Sequence, residues 1–386
     1  MARQWRTRRT LWALAVPLAT AALLITPGAA GTRAAKAPAP PCQSWTSTLP
    51  PSPGAADNEF FGVTALSACN VWAVGTYRAA TGPSLTLAEH WNGTAWKVVP
   101  TPDPGTSTNF LRAVSAFSAS NVWAVGHADN STLILHWNGT KWAQVPSPSP
   151  GAGNDLSGVD AVSASSAWAV GEATDSGSQR TLILRWNGTT WSQVASPTLG
   201  TDSRLDAVTA TSASNAWAVG GFFTGTAGKT LILRWNGTKW AQAPSPNPSG
   251  TVIEMILAGA AATSASNAWA VGLYNTGTIQ KTIIVHWNGS TWTEVPNPSP
   301  GQEPSLFGVA ATSASDAWAV GGYIAGSPEN TLLMHWNGTA WKMMIGPNPG
   351  TNSSLTGVAA TSAGNVWAVG NFSSGGTSQV FAIHCC

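Results

Sequence analysis

The sequence is poor in charge. Aspartate, glutamate, lysine and arginine make up only 9% of its 386 residues, against roughly 25% in ordinary soluble proteins. It has no basic run, which argues against nucleic acid or an anionic membrane surface as a partner. Cysteine is limited to four residues, none in a Cys/His cluster with ligand spacing, so no metal is expected. After the first thirty residues no apolar run approaches the ~18 residues of a membrane span. No stretch holds a 3.6-residue apolar period, which argues against helical architectures. GxSxG, HExxH, Walker and dinucleotide fingerprints are missing and no pair of acids recurs, so no cofactor and no catalytic residue is assigned.

What is present begins with an address. Arg3, Arg6, Arg8 and Arg9 precede an apolar stretch, Leu11 to Ile25, and a small-residue exit at Gly28-Ala29-Ala30. Residues 1–30 therefore read as a signal peptide, through either the general or the twin-arginine route, and the protein as secreted. Residues 31–41 read as a flexible Ala/Pro leader. Removing residues 1–30 takes four arginines and no acids, which leaves 18 − 4 = 14 basic against 16 acidic residues.

Residues 42–386 are built from one unit. WAVG occurs seven times, starting at Trp72, Trp123, Trp168, Trp217, Trp269, Trp318 and Trp367. WNG[TS]xW occurs six times, starting at Trp91, Trp137, Trp186, Trp235, Trp287 and Trp336. A full unit reads LxGVxA–TSASN–xWAVGxx–loop–TLILHW–NG–TxWxxVPSPSPG. Each piece is a short strand between turn residues, with Asn-Gly closing a two-residue hairpin and the Pro-rich segment ending the ladder. Four antiparallel strands at a period near 50 define a propeller blade. The predicted fold is all-β: a monomeric seven-bladed β-propeller of four-stranded antiparallel blades.

The chain ends on FAIHCC, half a hairpin, and CQSWTSTLPPSPG at the start of the mature chain aligns on the other half. The N-terminal strand thus completes the last blade and closes the ring. Twenty of the 22 tryptophans fall on repeat positions and the other two, Trp5 and Trp12, in the signal peptide. This regularity assigns them to packing between blades.

Export makes disulfides expected. Cys42 and Cys386 fall where the other blades place Gly and Asn of the hairpin turn, so their bond would replace the missing connection, with Cys69 paired to Cys385. Cys42–Cys385 with Cys69–Cys386 is the other arrangement considered. His90, His136, His286, His335 and His384 share one repeat position with Arg185 and Arg234. Placing this position across the hairpin from Lys141 and Lys239 predicts a solvated outer row, since like charges are tolerated only in water.

The SASN and NG turns barely change between copies, whereas the b–c loops and d–a crossings do, so binding is expected at their end of the ring. The second residue after the WAVG glycine is aromatic in five blades, Tyr77, Phe222, Tyr274, Tyr323 and Phe372, and the residue before that position varies, with His127 and Glu172 among its occupants. The innermost strand adds Arg112, Asp160 and Asp206. These ten are the candidate binding residues.

The Gly-rich b strand and Trp-bearing hairpin resemble kelch and galactose-oxidase-like propeller repeats, with the kelch double glycine at Gly220-Gly221 and Gly321-Gly322. The resemblance implies a propeller; no residue carries over the galactose oxidase copper site. The function expected is a secreted binding module for a glycan or an extracellular protein. The alternatives are a polysaccharide hydrolase or lyase, and a structural envelope-associated scaffold.

Overall fold

The computed structural model describes residues 44–385. Among them are 28 strands and no helix. The strands form seven four-stranded antiparallel sheets arranged as a ring of blades. In blade one the strands run Asp57–Ser67 (a), Asn70–Arg78 (b), Ser84–Trp91 (c) and Trp96–Val98 (d), and each carries one piece of the repeat. Blade seven takes Thr351–Ser362, Asn365–Ser374 and Thr377–Cys385 from the end of the chain and Thr46–Thr48 from its beginning. Thr46 pairs with His384, as Ala143 pairs with His136 in blade two, so the split hairpin keeps the register of the intact ones.

Asn-Gly does the work of the hairpin turn. Gly139 has φ 96°, a conformation costly for any residue with a Cβ. Asn138 Oδ1 accepts from the backbone N–H groups of Thr140 and Lys141, both at 3.0 Å, and from the Thr140 hydroxyl at 2.8 Å. The Asn of the NGT triplet thereby holds its own turn.

Packing between blades is built on tryptophan. Trp72 of blade one meets Trp137 and Trp142 of blade two, with centroids 4.9 and 5.2 Å away, the second pair edge to face at 87°. The arrangement recurs around the ring until Trp367 of blade seven meets Trp91 and Trp96 of blade one. The seam between blades six and seven has one ring fewer: Trp318 meets Trp45 alone, at 5.3 Å, because Cys385 stands where the first hairpin tryptophan would be. All seven WAVG tryptophans are at most 2% exposed. The packing role expected for them is what the fold shows.

Two expectations need correction. The row of histidines and arginines is not a solvated surface. His136 pairs with Ala143, not with Lys141, and lies 4.3 Å from the Trp123 ring. Arg185 lies over Trp168 and Trp235, at 5.0 and 5.4 Å. These side chains are stacked into the tryptophan clasps. Burial lowers the pKa of His90, His136, His286 and His384.

The second correction concerns Cys69, which is exposed and free, so neither of its expected bonds forms. The third residue of the SASN turn packs on the hairpin glycine of its own blade, not toward the neighbour: a Cβ on Gly93 would lie 3.2 Å from the Cys69 sulfur. Cys385 is buried and is not a free thiol. Cys42 and Cys386 lie outside the described residues.

Candidate functional site at the channel mouth

Seven a strands line the central channel, and each carries the same irregularity. The pairing of strands a and b skips one residue in LxGV, and the residue skipped is the x: Phe61, Arg112, Ser157, Asp206, Ala258, Phe307 and Thr356. A bulge re-aims the side chain it carries, and all seven of these residues line the channel cavity. The WAVG glycine beside each bulge is required sterically. A Cβ on Gly126 would collide with the Phe110 carbonyl, and one on Gly171 with the Asp155 carbonyl.

The residue two positions before each bulge forms a second tier, nearer the b–c loop end. It is Glu59, Phe110, Asp155, Arg204, Ile256, Ser305 and Ser354 in turn, paired with or close beside the b residue that follows the WAVG glycine. The two tiers make an asymmetric mouth. Blades one to four contribute every charge; blades five to seven contribute Ile256, Ala258, Phe307 and small polar residues.

On the charged side, the Arg112 Nε donates to Asp155 Oδ2 at 2.7 Å, and His127 Nδ1 lies 3.1 Å from Asp155 Oδ1. The Arg112 guanidinium also lies 5.9 Å from the centroids of both Phe61 and Phe110. These two rings stack at 6.2 Å, and Phe110 in turn stacks on His127 at 5.1 Å. The Arg204 Nε reaches Asp206 Oδ1 at 3.2 Å. Asp206 Oδ2 is buried with no hydrogen-bond partner. Gln179 Nε2 donates to Glu172 Oε1 at 2.8 Å.

The carboxyls respond to these surroundings differently. Burial would raise Asp155, but His127 and Arg112 overcome it and hold the pKa below the usual range. Burial pushes Asp206 up to about 6 against the pull of Arg204. Glu172 is raised by burial, with Asp155 and Asp206 adding to the effect. Glu59 is raised by burial and by Asp57. Four carboxylates thus face two guanidiniums, both 37% exposed as side chains, and one imidazole.

Of the ten candidate residues, Arg112, His127, Glu172 and Asp206 are brought together here. Asp160 is not part of this cluster: its carboxylate accepts from Ser115 of blade two and from the Ala210 N–H of blade four, at 3.2 and 2.7 Å. It joins three neighbouring blades, and burial raises its pKa to about 6. Tyr77, Phe222, Tyr274, Tyr323 and Phe372 are packed into five of the seven blade–blade clusters. Phe222, Tyr323 and Phe372 also press on Gly200, Gly301 and Gly350, the last residues of the Pro-rich crossings. Phe61, Phe110, Asp155, Arg204 and Phe307 were missed by sequence reasoning. The signal for Phe61 and Phe307 was the variable letter inside the repeated LxGV, and for Phe110, Asp155 and Arg204 the equally variable letter two positions before it. Among the described residues no cluster of His, Cys, Asp and Glu has the geometry to hold a metal ion, and no helix is long and apolar enough to cross a membrane.

No protein family matches the chain, and no curated protein does. Solved structures do, at the level of the fold. YCF48 bound to the D1 peptide superposes with a TM-score of 0.57 at 16% identity, covering 90% of this chain and 98% of that one. U3-55K gives 0.56 at 11% identity, with 88% and 98% covered. The GH74 xyloglucanase of Xanthomonas campestris gives 0.52 at 12% identity, with 87% of this chain and 55% of that one covered. The class defined is the seven-bladed propeller.

Proposed function

We propose that the protein is a secreted binding module that takes an extracellular protein partner at the channel mouth on the variable face. The observation that carries this reading is the bulge ring, the one repeat position that differs in nearly every blade while pointing to a shared cavity. Carboxylates outnumber cations there, and three of the four carry raised pKa values. A cationic group entering the mouth would relieve that crowding, while Phe307, Ile256 and Ala258 offer apolar contact opposite. A Lys or Arg side chain on a partner protein has both properties. A neutral glycan is favoured less, because sugar binding needs an open aromatic platform and the described tryptophans are locked between blades. YCF48, solved with a peptide, has the same architecture.

The test is a panel of immobilised glycans and of Lys/Arg-containing and neutral peptides, read with the exported protein. Binding confined to the cationic peptides supports this reading. Binding to neutral glycans, or to nothing on the panel, contradicts it. One observation favours polysaccharide hydrolysis: Asp206, with its pKa near 6, is placed for proton transfer at mildly acidic pH. Turnover of a polysaccharide that Asp206→Asn abolishes would establish that reading instead.

A further inference from the structure

Glu89 occupies a position that every other blade fills with an aliphatic residue: Leu135, Leu184, Leu233, Val285, Met334 and Ile383. Like them it has no exposed surface, and neither carboxylate oxygen has a hydrogen-bond partner. By the repeat register its side chain enters the cluster between blades one and seven, formed by Val71, Ala73, Trp96, Trp367, Val369 and Ala382. None of these can ion-pair. Ala382 stands opposite, where five of the other six seams present isoleucine or leucine. On its own sheet Glu89 pairs with Ala73 and Val98. The titratable residues beside it on strand c and across the hairpin, His90 and Lys97, pair with each other and so lie on the opposite face of the sheet. His384 of blade seven lies against the rings of Trp91 and Trp367, and neither Glu89 oxygen takes a hydrogen bond.

This seam is also where the ring closes. The Trp96 Nε1 donates to the Thr48 hydroxyl, and that hydroxyl donates to the Ala382 carbonyl, both at 3.3 Å. Thr48 belongs to the strand that blade seven borrows from the start of the chain. Every other blade has its fourth strand tied covalently by a hairpin turn.

We propose that Glu89 makes the closing seam a proton-operated latch, shut when the carboxyl is neutral and loosened when it must ionise. A carboxylate in an apolar seam with no donor is costly. The group therefore stays protonated while the seam is shut and ionises when the seam opens to water. Burial alone holds it at about 8 in the closed ring, from an ordinary value of 4.5. The sign follows from that upward shift. Closure is fully stabilised below about pH 4.5, weakens as pH rises, and levels off above about 8. Between those limits the opening equilibrium gains about tenfold per pH unit.

The test is amide hydrogen exchange of the full mature chain between pH 5 and pH 8, corrected for intrinsic rates. Glu89→Gln keeps the shape without the charge, and Glu89→Leu restores the repeat residue. In the wild-type protein, protection of Thr46–Thr48, Ser84–Trp91 and Thr377–Cys385 should drop by two orders of magnitude or more across that range. The seam between blades three and four, with Leu233 at this position, should not respond. Both variants should abolish the pH response at the closing seam. If wild type and Glu89→Gln respond alike, or if all seams loosen together, the latch is wrong. If Glu89→Gln fails to fold, Glu89→Leu against wild type decides the same question.

Discussion

Trp367 of blade seven and Trp96 of blade one meet edge to face, with centroids 5.7 Å apart and planes at 82°. They close a circle of clasps in which each blade's WAVG tryptophan is held by the next blade's hairpin. Truncating such a residue leaves a cavity lined by rings that cannot collapse. Trp217→Ala is therefore expected to cost about 3–5 kcal/mol. Trp318→Ala should cost less, since the next blade clasps Trp318 with one tryptophan, Trp45, where Trp217 has two. Chemical denaturation of both variants checks this; equal losses would mean the clasp is not the unit of packing.

Cys69 is free and Cys385 is not, which narrows closure to the two ends of the chain. A non-reducing peptide map is expected to join Cys42 to the C-terminal peptide, with Cys69 alkylated in the native protein. The loop closed is nearly the whole mature chain. Reduction should thus remove stability on the order of 5 kcal/mol at most, seen as a lower melting temperature. Recovery of alkylated Cys42 from the unreduced protein would disprove the bond.

The stacked histidines make the ring acid-sensitive. The pKa values of His90, His136, His286 and His384 lie below the ordinary 6.5 in the folded chain, so the unfolded state binds protons first as pH falls. The stability they contribute is complete above about pH 6.5 and is lost as pH falls through their folded values. In a Glu89→Gln background, which removes the opposing slope, melting temperature should decline from pH 7 to pH 5. His136→Arg with His286→Arg, the residue blades three and four already use, should flatten that decline. An unchanged slope would place the acid sensitivity elsewhere.

Asp160 and Asp206 offer a contrast, because both are acids on a strands and burial raises both. Asp160 bridges blades, so Asp160→Ala should cost about 1–3 kcal/mol through the stranded Ala210 N–H and Ser115 hydroxyl, with binding at the mouth intact. Asp206→Asn should leave the melting temperature nearly unchanged and weaken partner binding. Parallel melting and titration curves separate the two; exchanged roles would overturn the assignment.

The sequence carried the blade count, the split hairpin and the packing role of tryptophan, because these follow from repetition. It misled wherever a choice depended on register or on which way a side chain points. Placing His136 across from Lys141 instead of Ala143 turned a stacked residue into a solvated one. Tyr274 and Tyr323, expected at a binding surface on the variable face, lie half-buried against the blade clusters, a packing contact that the sequence did not show. Arg112 and Asp206 were found for their charge. Phe61 and Phe307 were not, since a bulge leaves no trace in composition and shows only as one inconstant letter in LxGV. Glu89 was visible as LAEHW among LILHW copies, yet only burial without a partner gives it meaning.

The central claim is that the bulge ring is the binding surface. It is tested most directly by titrating one partner or cationic peptide into wild type, Arg112→Ala, Asp206→Asn and an NG-turn variant, Asn236→Ala. Loss of one charge at the mouth should change affinity in opposite senses: at least about tenfold weaker for Asp206→Asn, and unchanged or tighter for Arg112→Ala. Asn236→Ala should bind as wild type does. If the turn variant loses binding while both mouth variants keep it, the partner docks at the invariant end of the ring and the account is wrong.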